Sequence, residues 1–326
     1  MQRVIVSGAT GGIGLALVEK LLESGKEVVA LVRPGSRRTG RLPRGERLRI
    51  VEQELEDISA LPDRVGAEGP YDAFYHLAWD HSREHDDVKK QFRNVGCTLG
   101  AIAAADRLGC ACFIGAGSQA EYGLIDGTID ESTLPSPVTA YGAAKLAAGQ
   151  IGRIDCEQRG LRFVWPRIFS VYGPGDGDAT VVMSVIRQLL AGKTPALTAG
   201  EQLWDFLYVS DAATALQLLG ETEACAGIYC VGNGTPRRLR LYLEELRDEV
   251  NPIAGLDFGA IPYGAKQTMC LAPDIAKLCT ETGFRPAVEF SAGIRSTIRW
   301  CREHPDVVLA GYGAGKDSRQ DKRDQR

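Results

Sequence analysis

The chain has only four histidines in 326 residues, and its nine cysteines show no CxxC spacing. Zinc sites need such ligands at close spacing, so no metal site is expected. An odd, scattered set of cysteines gives no disulfide framework either. Reduced thiols in a cytoplasmic protein are expected, most of them small core residues. No apolar run reaches the ~18 residues of a membrane span, and no signal-peptide pattern precedes the first strand-like segment. Neither sign of charge dominates, with 38 Lys plus Arg against 42 Asp plus Glu and a net charge of −4. Nucleic acid and anionic membranes are therefore not expected partners. The remaining composition is ordinary for a globular protein, 44% apolar and 25% charged. Its length allows one large domain or two smaller ones.

The most informative stretch lies at the start. Val4-Ile5-Val6 is a β-branched run, and Gly8, Gly11 and Gly14 follow at three-residue steps with Thr10, Gly12 and Ile13 between them. Leu15–Leu22 then has helical periodicity. A strand, a glycine turn and a helix in that order offer free backbone N–H groups and a positive helix end to an anion. Gly8 permits the tight turn, Gly11 lets a pyrophosphate approach, and Gly14 allows close helix–strand packing. Many turns share such a motif, but these flanks point to dinucleotide binding.

Glu27–Val32 reads as a second strand. An acidic residue at its end would bind a ribose 2′-OH, whereas arginine would accommodate a 2′-phosphate. Here Val32 is followed by Arg33, Arg37 and Arg38, with no carboxylate in that segment. NADP(H) is favoured, with NAD(H) as the alternative, and a merely solvated basic loop is the bland reading. Leu48–Val51 is a third strand running towards Glu54 and Leu55, and Ala73–Ala78 a fourth. Leu77 and Ala78 then fall at the sheet edge where a cofactor would lie, and Trp79 follows them. A helix over about 86–108 contains Asn94, for which satisfying neighbouring backbone is the simpler role. Cys112–Ala116 is a fifth strand. Strands and helices alternating at these lengths predict a doubly wound parallel sheet.

Ser118 follows the fifth strand, and Tyr141-Gly142-Ala143-Ala144-Lys145 opens a helix running to about Arg159. A spacing of four puts Tyr141 and Lys145 on one face, a turn apart. A cation beside a phenol lowers its pKa, which suits proton transfer.

From about residue 1 to 305 the chain resembles the extended short-chain dehydrogenases/reductases, the epimerase/dehydratase family that includes nucleotide-sugar 4-keto reductases. The resemblance rests on the glycine turn, the Asn94 helix, Ser118, the Tyr141–Lys145 pair, Trp165–Pro174 and Trp204–Asp211. It implies a Rossmann sheet with a smaller interleaved substrate domain. Residues 1–170 plus 204–233 would form the dinucleotide domain, 171–203 plus 234–305 the substrate domain, and 311–326 a disordered tail. It further implies Tyr141 as acid/base, Lys145 on the nicotinamide ribose, Ser118 on the reacting oxygen and Asn94 completing a tetrad. Pro166 and Ile168 would join the cofactor contacts, and Trp79, Gln119, Ser170, Trp204 and Lys266 the substrate contacts.

Departures from the family pattern narrow the chemistry. The family's 4,6-dehydratases carry Asp-Glu after the catalytic Ser/Thr, and its decarboxylases keep the glutamate; this chain has Gln119-Ala120. Reduction of a keto sugar, most simply a nucleotide-linked 4-keto-6-deoxyhexose, is the expected reaction. A 4-epimerase with retained NAD is the alternative, and a non-catalytic dinucleotide-binding protein a third. Ser170 stands for the usual Asn and Trp204 for the usual Arg, and Gly264 falls where a second arginine grips the diphosphate. Arg237, Arg238, Arg240 and Lys266 are candidate substitutes, or a solvated face. The family's dimers pair two helices per subunit, so a homodimer is expected through 86–108 and 141–159.

Overall fold

A computed structural model describes residues 1–66, 70–80, 86–177 and 180–305. The tail expected at 311–326 lies outside the described residues. In chain order the elements are β1 (Arg3–Ser7), α1 (Gly12–Glu23), β2 (Glu27–Val32), β3 (Leu48–Glu52), α2 (Leu61–Val65), β4 (Ala73–His76), α3 (Val88–Arg107), β5 (Cys112–Gly115), β6 (Gly117–Ser118) and β7 (Thr128–Ile129). There follow α4 (Ala140–Arg159), β8 (Arg162–Ile168), β9 (Ser170–Tyr172), α5 (Val181–Leu190), β10 (Ala196–Leu197), β11 (Leu203–Trp204), β12 (Phe206–Tyr208), α6 (Val209–Glu221), β13 (Gly227–Val231), β14 (Arg237–Arg238), α7 (Leu239–Val250), α8 (Ala276–Thr282) and α9 (Phe290–Glu303).

Seven strands form the main parallel sheet in the order β3-β2-β1-β4-β5-β8-β13, with β6 also pairing β8. Both faces are covered, so strand residues are apolar in succession and segregate by alternation. Val4 and Val6 of β1 join Leu17, Val18 and Leu21 of α1 and Leu216 and Leu219 of α6 in one core. Ile5 points the other way, into a core with Ile102 and Ala105 of α3, Ala148 of α4 and Phe113. The order reverses between β1 and β4, and a doubly wound sheet opens its ligand crevice at such a point.

A separate core gathers Tyr172, Val182, Ile186, Phe206, Tyr242, Leu243, Phe290 and Ile294, carried by β9, α5, β12, α7 and α9. β9 pairs with β12. Phe206, expected on the dinucleotide side, belongs to this second core, whereas Leu278 of α8 and Phe284 pack on the main sheet. The expected fourth strand ends two residues early, at His76, which leaves Leu77 and Ala78 outside the ladder.

Candidate active site

β1 runs into a turn closed by the Gly11 N–H donating to the Gly8 carbonyl, 3.0 Å. Gly8 has φ +73°, and a Cβ there would lie 2.7 Å from the Ala78 nitrogen; a Cβ on Gly14 would lie 2.1 Å from the Gly8 oxygen. Neither position accepts a side chain without moving backbone. Gly11 caps α1 with no side-chain bond, so the first N–H groups of the helix are left for a ligand. A cleft of about 260 Å³ opens here, lined by Gly8, Gly11–Gly14, Leu77, Ala116, Ile168 and the 171–177 loop.

A second cleft of about 740 Å³ adjoins it, lined by Thr10, Val32, Arg33, Arg37, Arg38, Glu54, Leu55, Ala78 and Trp79 among others. Arg33, Arg37 and Arg38 are all exposed. Together the two clefts run from the glycine turn to the exposed arginines. Of the expected cofactor residues, Tyr141, Lys145 and Pro166 line neither cleft, and Pro166 is buried mid-strand in β8 in register with Tyr229.

β6 presents Ser118 at the sheet edge. Its hydroxyl accepts from the Ala120 N–H (3.2 Å) and is hydrogen-bonded to the Tyr141 side chain. Thr139 caps α4 by accepting from the Gly142 N–H, which starts the helix in the register that places Tyr141 here. Lys145, 4% exposed, donates from Nζ to the Ala116 carbonyl at 2.7 Å. Burial pushes its pKa down to about 7, with the Glu121 carboxylate pulling the other way. The Tyr141 pKa is raised, not lowered as the neighbouring cation alone predicts, because burial outweighs the Ser118 hydrogen bond and Glu121 adds to the rise. The ammonium lies 5.9 Å from the Tyr141 ring centroid, and its own charge is weakened by burial. The phenol therefore keeps its proton in the resting site.

Asn94 is built in differently from the expected tetrad. Its Oδ1 accepts from the Asp80 N–H at 2.8 Å, and its Nδ2 donates to the Asp80 and Lys90 carbonyls. The amide therefore fixes the loop after β4 and acts on the site through it. That loop carries Trp79, whose indole lies 3.7 Å from Lys145 Nζ and edge-on to Tyr141 at 6.0 Å. Beneath it, His76 Nδ1 meets the Ser7 hydroxyl at 2.9 Å, and burial with the Lys145 charge pushes its pKa down to about 3.

Glu121 closes the turn after Ser118 as the last residue of a capping box. Oε1 accepts from the Ser118 N–H (2.9 Å) and the Trp165 indole (3.0 Å), while Oε2 pairs with Arg167 Nε at 2.7 Å. Both partners are almost wholly buried. A Cβ on Gly117 would meet Trp165 Nε1 at 2.5 Å and Glu121 Oε1 at 2.8 Å, so a glycine is required beside this pair.

On the substrate side, Ser170 and Trp204 are partners: the indole N–H donates to Ser170 Oγ at 2.8 Å. Two separate departures from the family pattern thus become one contact. The suggested substitute arginines are engaged elsewhere, Arg237 with Glu245, Arg238 with Glu201 and Arg240 with Glu244. Lys266 is exposed and donates to the Val138 carbonyl at 3.3 Å. Gln119 is half-buried.

Sequence reasoning missed the 171–177 segment as a wall of the first cleft. Its signal was the Gly173-Pro174-Gly175 turn: both glycines take positive φ, and Gly175 packs against Gly12.

A glycine turn at a sheet reversal, with serine, tyrosine and lysine converging beside it, defines an enzyme of the extended short-chain dehydrogenase/reductase type. The model of the NAD dependent epimerase/dehydratase family matches residues 4–232, and the chain belongs to that family. Among its relatives is dTDP-glucose 4,6-dehydratase of Streptomyces griseus, 27% identical over 317 residues, covering 92% of this chain and 94% of that one. Among solved structures, UDP-N-acetylglucosamine 4-epimerase from Methanobrevibacter ruminantium M1, in complex with UDP-N-acetylmuramic acid, superposes with a TM-score of 0.84 at 23% identity, over 93% and 99% of the two chains. UDP-glucuronic acid 4-epimerase from Bacillus cereus, with UDP-glucuronic acid and NAD, gives 0.81 at 22%, over 93% and 99%.

Proposed function

We propose that this enzyme reduces a keto sugar, a nucleotide-linked 4-keto-6-deoxyhexose, at a single carbon. The observation that carries this reading is Tyr141 set beside Ser118, next to a turn in which Gln119 and Ala120 offer neither acid nor base for removing water from the sugar. Ser118 holds the keto oxygen, Tyr141 delivers its proton there, and Lys145 beside it stabilises the phenolate left behind. The bound dinucleotide supplies the hydride. Gly8, Gly11 and Gly12 seat its diphosphate, and Lys145 holds the adjoining ribose. Trp79, Gln119, Ser170, Trp204 and Lys266 border the sugar nucleotide, with the Trp204 ring face in place of a guanidinium. On this reading residues 1–170 with 204–233 form the dinucleotide domain and 171–203 with 234–305 the substrate domain, except that Phe206 packs in the second core and Leu278 and Phe284 on the main sheet. The test is incubation with NADPH and a dTDP-linked 4-keto-6-deoxyhexose, for which stoichiometric loss of NADPH is expected. The alternative is a 4-epimerase, favoured by the likeness to two solved 4-epimerases. Such an enzyme would purify with NAD bound and consume none.

NADP(H) is the proposed cofactor within this NAD-dependent family, from Arg33 and Arg37 at the second cleft and the absence of an acid at Val32. Replacing both arginines by alanine is expected to weaken NADP(H) binding at least tenfold in a titration and leave NAD(H) binding nearly unchanged. Equal losses for both cofactors would contradict the assignment.

A homodimer is proposed through α3 and α4, with a cytoplasmic location; among the described residues no helix is long and apolar enough to cross a membrane. Phe92 is 76% exposed, and Val88, Ile151 and Ile154 are also exposed on these helices, while Lys145 faces inward. Light scattering at twice the 35.2 kDa chain mass checks this, and a particle of monomer mass overturns it.

A further inference from the structure

Lys145 is nearly enclosed, and burial works against its charge. Its Nζ has three N–H donors, of which the Ala116 carbonyl takes one. On another side lies the Trp79 indole, 3.7 Å from the nitrogen to the ring centroid. The ring is itself held: its N–H donates to Gln91 Oε1 at 2.9 Å, and Gln91 is 1% exposed. Asn94 fixes the next residue, Asp80, by two backbone bonds. Two polar side chains of α3 are thus spent on setting one indole.

The groups that face or flank the ammonium are few. His76 of β4 is neutral, its pKa pushed down. Tyr141, a turn back on α4, holds its proton. Glu121, in the turn after β6, is paired with Arg167 of β8, so a cation offsets its field. Asp80 lies beside Trp79 in the loop, with its backbone bound to Asn94. The electron-rich face in direct contact with Nζ is the indole, the strongest of the aromatic partners for a cation when both are desolvated.

We propose that Trp79 is a positioning residue whose indole face keeps the Lys145 amine charged and aimed at the Tyr141 site. This rests on the reading of Tyr141 and Lys145 given above, and Gln91 and Asn94 act through it. The ammonium stabilises the phenolate formed when Tyr141 gives up its proton, so whatever holds the ammonium extends the pH range over which the pair works. Removing the ring favours the neutral amine, and the Lys145 pKa falls.

The test compares wild type, Trp79→Phe and Trp79→Leu as full-length proteins, using brief pulses of acetic anhydride across a pH series. Acetylation of Lys145 is read from its peptide mass. Acetic anhydride reacts with the neutral amine, so the midpoint of the profile reports the pKa. The midpoint is the quantity to compare, because uncovering the amine relieves the burial that depresses its pKa and moves the midpoint up, opposite to the loss of the indole, so a raised midpoint counts against the proposal. The expected result is a midpoint about one pH unit lower in Trp79→Leu, with Trp79→Phe in between because a smaller π face remains. Coincident midpoints for wild type and Trp79→Leu overturn the proposal. If Trp79→Leu loses its native circular dichroism, the comparison of wild type with Trp79→Phe decides: a lowered midpoint supports the role and an unchanged one overturns it. Failure of the catalytic reading shows elsewhere, as full turnover by Tyr141→Phe, which leaves the acetylation profiles unaffected.

Discussion

Tyr141→Phe is expected to lower turnover by a factor on the order of 10²–10⁴ while cofactor affinity stays close to wild type. The change removes one hydroxyl and keeps the ring that packs edge-on to Trp79, so the fold and the dinucleotide clefts are undisturbed. What is lost is the proton, which burial holds on the phenol in the resting site. The check is steady-state kinetics beside a cofactor-binding titration of the same variant. Turnover above about a tenth of wild type would remove Tyr141 from the acid role. Loss of cofactor binding in step with turnover would mean that the phenol serves the dinucleotide instead.

Glu121→Ala is expected to destabilise the protein by about 3–5 kcal/mol in denaturant unfolding, because it strands the buried Arg167 charge. Burial disfavours the charged Arg167, and Glu121 is the leading effect that reverses this and raises its pKa. The same carboxylate also receives the Ser118 N–H and the Trp165 indole, so three donors lose their acceptor together. Glu121→Gln keeps the shape of the acceptor and should cost less, while still loosening the turn that sets Ser118. A change below about 1 kcal/mol for the alanine variant would show that the pair adds little and that the turn is held by its backbone.

What the chain revealed before its structure was local. The glycine turn was legible because its requirements, a positive φ at Gly8 and no Cβ at Gly14, lie within one strand–turn–helix unit. Tyr141 and Lys145 were legible because helical spacing alone puts them on one face. Contacts that depend on the tertiary fold were not. Ser170 and Trp204 read as two independent losses, yet they are 34 residues apart in sequence and joined by one hydrogen bond. The role of Glu121 has no local signature, because its partner Arg167 lies 46 residues away on β8. The phenol pKa was taken to fall because charge can be counted in a sequence and burial cannot. Asn94 was legible in part: satisfying neighbouring backbone is the simpler reading of that residue, and its amide does bond the loop that carries Trp79, while the tetrad role came from the resemblance alone. Pro166 was assigned to the cofactor by the same resemblance, and strand register sets it inside the sheet.

The most direct test of single-carbon reduction follows the hydrogen itself. The protein is incubated with NADPH carrying deuterium at its transferable position and a dTDP-linked 4-keto-6-deoxyhexose, and the product is read by mass spectrometry and NMR. The account predicts one deuterium on the former keto carbon for each NADPH consumed, and none of either with Tyr141→Phe. A product free of deuterium, formed without net loss of NADPH by protein that arrives with NAD bound, would contradict it.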